Sequence, residues 1–169
     1  MPDSETENSK HNPLWRYALG VYKRPEVAVL CLAAQDDWRL DINLLLCAGW
    51  LAEQGVCWSG RDCAALLSIS EPWQQQCLRP LREVRHYLKL NARPALYAAI
   101  KALELELEAE ELWRFYCYFK GLPKQPDVAE ALLLEMLRIY LETVNVELLA
   151  SEKYEQWQQT FVAALFLDS

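Results

Sequence analysis

The 169-residue sequence predicts an all-α, single-domain bundle of about seven or eight helices. Three observations carry this. From Pro13 onward, apolar residues return every three or four positions, the period of a helix face. Prolines and glycines punctuate that pattern at Pro25, Gly55, Pro94 and Gly121, where helices should start or stop. The apolar fraction is 53%, enough for a core, and a chain of this size can bury about 70% of its unfolded surface. Residues 1–12 are polar and acidic and are expected to form a disordered tail, with the helical domain covering 13–169.

Each element has its own justification. Asn12 and Pro13 suit the N-cap and first position of a helix through Leu14, Ala18, Val21 and Tyr22. Pro25 opens the next helix, through Val27, Leu30, Cys31 and Ala34, and Asp36 to Leu40 is expected to be a polar connection. Asp41 should cap the apolar run Ile42 to Ala52, which Gly55 stops. Ser59 can cap a short helix through Leu67 and Ile69, and Ser70 the next, with Pro72 near its start. Trp73, Cys77, Leu81, Val84 and Leu88 recur at helical spacing, and Pro80 among them should kink or split that helix.

Leu103 to Glu108 alternates apolar and acidic residues, a strand pattern. Ala, Leu and Glu favour helix, however, and no β-branched residue lies between Lys101 and Phe119. One long helix is therefore expected over 95–119, ended by Gly121-Leu122-Pro123. Asp127 should cap a helix carrying Leu133, Leu137, Tyr140, Val144 and Leu148. That helix is apolar enough to be central, or to form a homo-oligomer interface through Leu133, Leu137, Tyr140 and Val144. Ser151 begins the last helix, with Tyr154, Trp157, Phe161 and Leu165 on one face.

The net charge is −7, unevenly spread: −2 over residues 1–12, +2 over 13–100 and −7 over 101–169. An acidic total opposes general nucleic-acid binding, which needs a cationic face. The longest apolar run is about half of the ~20 residues that span a bilayer. With no apolar leader, the expectation is a cytoplasmic protein with six free thiols and no bound cofactor. A zinc group of Cys57, Cys63, Cys77 and His86 would match no standard ligand spacing. Hydrolase, metalloprotease and P-loop signatures are absent, which leans against an enzyme.

Three polar or aromatic features qualify as candidate sites. Arg79, Arg82, Arg85, His86 and Lys89 step by three and four, so several cations share a helix face and could grip a carboxylate or phosphate. A solvated face opposite Leu81, Val84 and Leu88 is the plainer explanation. Asp41 and Asn43 open a helix with no solvent side, so they need buried partners, and Arg82 or Arg85 is the expected one. Seven tryptophans, five of them in the first half, mean core packing or a pocket, with Trp15 and Trp50 as candidate pocket walls.

Leu14-Trp15-Arg16-Tyr17-Ala18-Leu19, Tyr22, Pro25-Glu26-Val27, Cys31-Leu32, Gln35-Asp36 and Asp41-Ile42-Asn43-Leu44-Leu45-Leu46 with Trp50 resemble an uncharacterised proteobacterial family of small cytoplasmic proteins with a domain of unknown function. Pro80-Leu81-Arg82 with Arg85 and Leu88-Lys89 is similar to that family's second block. The resemblance covers residues 14–90 and implies compartment and lineage rather than an activity. The sequence favours a non-enzymatic interaction or regulatory module whose partner is another protein. The alternatives are an anionic-ligand binder using the Arg79–Lys89 face with Trp15 or Trp50 nearby, and an enzyme of unknown type.

Overall fold

The computed structural model describes residues 11–91, 93–125 and 127–166. Among them are eight α-helices and no strand. They are α1 (Pro13–Tyr22), α2 (Pro25–Trp38), α3 (Ile42–Glu53), α4 (Gly60–Trp73), α5 (Arg79–Asn91), α6 (Pro94–Phe119), α7 (Ala129–Val144) and α8 (Glu152–Phe166). A π-helical turn, Gln74–Leu78, joins α4 to α5, and a 3-10 turn, Val146–Ala150, precedes α8. Most of the expected tail lies outside the described residues. Asn12 does not: it is buried and its Oδ1 accepts the Trp15 N–H at 2.8 Å, so it belongs to the domain.

The strand-like alternation at 103–108 is helical, as the residue types require. Helix α3 is the centre of the bundle. It buries Asn43 to Gly49 without a break and packs against α1, α2, α6 and α7. Helix α7 lies on it most extensively, and Leu133, Leu137 and Tyr140 are buried there, within the chain; Val144 at the end of the stripe is exposed. Tyr154, Trp157, Phe161 and Leu165 of α8 fill the space beside α2 and α7. Tryptophan N–H groups tie helices together: Trp58 donates to the Met136 carbonyl at 3.0 Å, Trp73 to Leu107 at 2.9 Å and Trp157 to Leu30 at 2.9 Å. A buried indole needs such an acceptor, and the helix backbone supplies one.

Three boundaries differ from expectation, and a fourth takes a form of its own. Helix α2 continues to Trp38, and Arg39 ends it in the left-handed region with φ 57°. Ser70 begins no new helix. Its hydroxyl turns inward, and Pro72 sits inside α4. The break expected at Pro80 takes the form of a π turn just before it, which divides α4 from α5: the Arg79 N–H reaches back five residues to Gln74. One extra residue in that turn rotates everything after it by about 100°. Helix α7 starts at Ala129 rather than after Asp127, with no side-chain cap, so packing on α3 holds it.

Candidate functional site

Helices α5 and α6 pack against each other; the C-terminal half of α6 enters the core, while α5 and the N-terminal part of α6 lie outside it. No residue of α5 is buried, and none of α6 is buried before Glu104. The π turn sets the direction of this two-helix arm, and a buried polar network sits at its root. Asp41 caps α3: its Oδ1 accepts the Asn43 N–H at 2.8 Å. Its Oδ2 accepts from the Ser70 hydroxyl and, at 3.3 Å, from the Gln74 amide. The Asp41 N–H donates to the Tyr140 hydroxyl at 3.0 Å.

Glu111, fully buried in α6, accepts from Asn43 Nδ2 at 2.6 Å and from Gln74 Nε2 at 3.0 Å. Ser70 lies against it as well. Burial raises the pKa of both carboxyls, and the Asp41 charge adds to the rise at Glu111. For Glu111 the result is about 8, with desolvation the larger cause and Asp41 the next. Asp41 has donors on both oxygens, which suits its ionised form, while Glu111 Oε1 has only a 3.4 Å contact from Gln74. The geometry therefore places the shared proton on Glu111.

The expected pairing of Asp41 or Asn43 with the arginines is corrected. Arg82 bonds Glu104 through Nε at 3.0 Å and Glu108 through Nη2 at 3.0 Å. Arg85 bonds Glu104 at 2.5 Å. Glu104 and Glu108 are four apart on α6 and face α5, so the alternating acids that resembled a strand provide the arginine partners. The link to Asp41 is indirect: Gln74 Oε1 lies 3.5 Å from Arg82 Nη1 while its amide nitrogen reaches both buried carboxyls. Sequence reasoning missed Gln74 and Ser70 as members of this network. The residue pattern gives Ser70 as a cap and Gln74 as an ordinary helix position, and neither carries a signal of facing inward.

Beside the arm's root lies an open cleft of about 870 Å³. Arg79, Arg82, Glu83 and His86 of α5 form one wall. Gln35, Asp36, Trp38 and Arg39 at the end of α2, residues 140 and 143–145 at the end of α7, and Asp41, Ser70 and Gln74 of the network line it as well. The Gln35-Asp36 and Asp41-Ile42-Asn43 segments of the first sequence block thus meet Arg82 of the second. The side chains of Arg39, Arg79 and His86 make no hydrogen bond or ion pair to any described residue. Arg85 is turned to Glu104, and Lys89 is exposed farther along α5. Trp15 and Trp50 do not line this cleft. Trp15 is buried in α1 and Trp50 packs on Tyr116, so Trp38 is the tryptophan at the rim.

None of the six cysteines is in a disulfide. Burial pushes Cys31 up to about 12 and raises Cys47 and Cys63, which makes these three poor nucleophiles. Among the described residues, no group of three or more His, Cys, Asp or Glu side chains is placed to hold a metal ion. No described helix is long and apolar enough to cross a membrane.

Residues 13–115 match the family model described as protein of unknown function (DUF2390), and the chain belongs to that family. The match covers α1 to most of α6. Helices α7 and α8 lie beyond it, although they complete the core around α3 and α2. No curated protein and no solved structure matches the chain.

Proposed function

We propose that this DUF2390 member is a non-enzymatic interaction module and that the α5–α6 arm is its working surface. One observation supports the reading. Val84, Leu96 and Leu103 are 46%, 46% and 47% exposed, and Tyr87 and Leu90 are more exposed still, all on one two-helix element. Single exposed apolar residues are ordinary, but a concentration on one element outside the core marks a binding face. The arm's root, by contrast, is held by ion pairs and the buried network, so the surface is presented in a fixed direction. The test is site-specific photo-crosslinking in the native host. A photoreactive residue at Leu96 or Leu103 should give a discrete adduct, and one at Glu155 on α8 should not. Absence of any adduct on the arm would remove the reading.

A second reading places a small anionic ligand in the cleft. Arg39, Arg79 and His86 favour it, because all three line the cleft and make no side-chain hydrogen bond or ion pair to any described residue. Arg39 also holds a left-handed backbone, a cost of about 1–2 kcal/mol for a residue with a Cβ. Titration with inorganic phosphate or citrate, read by Trp38 fluorescence, tests it. Saturable quenching lost in Arg79→Met would support the cleft, and a flat titration would remove it.

A further inference from the structure

We infer that Glu111, Ser70 and Asp41 form a one-proton relay that opens on the cleft and latches α6 to α3 and α4, so that loss of the proton loosens the root of the arm. The device needs no partner on the arm. A serine hydroxyl has one proton to give and two lone pairs that accept. The Ser70 hydroxyl donates to Asp41 Oδ2 and also lies within hydrogen-bonding reach of Glu111. Its one proton is committed to Asp41, so toward Glu111 it can only accept. Glu111 Oε2 already accepts from Asn43 Nδ2 at 2.6 Å and Gln74 Nε2 at 3.0 Å, while Oε1 has only the 3.4 Å contact. The acidic proton therefore belongs on Oε1, with Ser70 Oγ as its acceptor. One proton and one negative charge then satisfy all three groups. Asp41 and Ser70 line the cleft, and Glu111 is fully buried behind them. On deprotonation Glu111 gives its proton to Ser70, Ser70 gives its own to Asp41, and Asp41 releases one to water in the cleft. The pair passes from one negative charge to two.

The second charge would have no ion pair. Arg82 of α5 and Glu108 of α6 both face Asp41, but they are paired with each other and, with Arg85 and Glu104, sum to zero. Tyr140 of α7 and Cys47 of α3 also face the pair, and burial keeps both protonated. Tyr22 of α1 faces Glu104 and Glu108 and is likewise pushed toward its neutral form by burial. Arg39, Arg79 and His86 line the cleft without a hydrogen bond or ion pair to either carboxyl. Gln74 Nε2 touches both acids, Glu111 Oε2 at 3.0 Å and Asp41 Oδ2 at 3.3 Å, so two like charges would share one amide. Glu111 is carried by α6, Ser70 by α4, and Asp41 caps α3. Their repulsion therefore acts on the contacts that seat the arm's root.

Infrared titration of the full chain reads the proton directly. The C=O stretch of a protonated carboxyl should be present at neutral pH, vanish with a midpoint of about 8 and be missing in Glu111→Gln. Its absence from the parent at neutral pH would overturn the relay. Ser70→Ala should lower the midpoint by about one pH unit, because the protonated state loses two hydrogen bonds and the ionised state one. A hydroxyl that only fills space, or that donates to Glu111, would leave the midpoint in place or raise it, and either result would overturn the relay. Asp41→Asn keeps a good helix cap and should also bring the midpoint down by removing the like charge; an unchanged midpoint would mean that no proton is shared. His86→Gln on the cleft wall should not move it. Hydrogen exchange, corrected for its intrinsic pH dependence, reads the latch between about pH 6 and about pH 9.5. Opening of α5 and of α6 as far as Glu111 should become at least about tenfold more frequent at the higher pH in the parent and stay unchanged in Glu111→Gln. A pH dependence confined to the slowest amides of α3 and α7 would show that the arm opens without exposing Glu111, and the latch would fall.

Discussion

Glu111 is a carboxyl held where its charge is least welcome, and its titration is a stability statement. Its ordinary pKa is about 4.3, and in the folded protein it is raised to about 8. The folded state therefore binds more protons than the unfolded one between those values. The stability contributed by the protonated form is complete below about pH 4 and is lost as pH rises toward 8. Glu111→Gln, neutral at every pH, should escape that loss. Urea unfolding from pH 4.5 to 8.5 should show the variant gaining on the parent by up to about 1.4 kcal/mol per pH unit. A pH-independent difference would mean that Glu111 is ionised in the fold. Arg39 presents the opposite case, a backbone cost at the surface. Its N–H bonds Gln35 and the Leu40 N–H bonds Ala34, a helix end that favours glycine. Arg39→Gly should raise the unfolding midpoint by the equivalent of about 1 kcal/mol.

Two glycines inside helices show how packing overrides propensity. In an exposed helix interior Gly→Ala stabilises by about 1 kcal/mol. Gly20 on α1 has open space where a Cβ would sit, so Gly20→Ala should follow that rule. At Gly49 on α3 a Cβ would lie 2.5 Å from the Tyr17 hydroxyl and 3.0 Å from Leu165. Gly49→Ala should therefore destabilise by about 1–3 kcal/mol through overpacking, in spite of its better propensity. The Tyr17 hydroxyl is buried without a hydrogen-bond partner, so Tyr17→Phe should be tolerated and should partly rescue Gly49→Ala. Thermal melts of the two single variants and the pair decide this. The arm's root depends similarly on one acid. Glu104→Ala strands Arg85 and leaves Arg82 with Glu108 alone, both arginines partly solvated, and should cost about 1–2 kcal/mol and speed amide exchange throughout α5.

The molecule as a whole is a rigid body with a lightly held arm. The body has a continuous core from Leu14 to Leu165, whereas the arm's outer half has no buried side chain. Hydrogen exchange should report this directly, with α5 and the first turns of α6 opening well below the global unfolding energy and α3 and α7 opening last. Substitution should follow the same division. Leu133→Ala should cost about 2–5 kcal/mol, while Leu96→Asp and Leu103→Asp should stay within about 0.5 kcal/mol of the parent. Equal costs at the two places would mean that the arm is folded against the body in solution.

Local rules determined much of this protein. The caps at Asn12, Asp41 and Ser59, the helix starts at Pro13, Pro25 and Pro94, and the helical state of Leu103 to Glu108 all depend on residues within a turn or two of one another. The apolar period likewise marked α3 as central, because burial on nearly every side leaves no polar face to read, and gave α7 the apolar stripe that packs on it. Tertiary structure alone decided the partners. Asp41 and Asn43 were legible as buried polar groups in need of donors and acceptors. Gln74, four residues after Ser70, keeps the inward face of α4, and the single added residue of the π turn at Gln74–Leu78 resets the direction of the side chains that follow, with Arg82 and Arg85 meeting Glu104 on α6. Periodicity averages over many residues, so it cannot register a one-residue shift. That shift rotates every later side chain by about 100°, and it is what separates a buried network, a cleft and an exposed arm from one another.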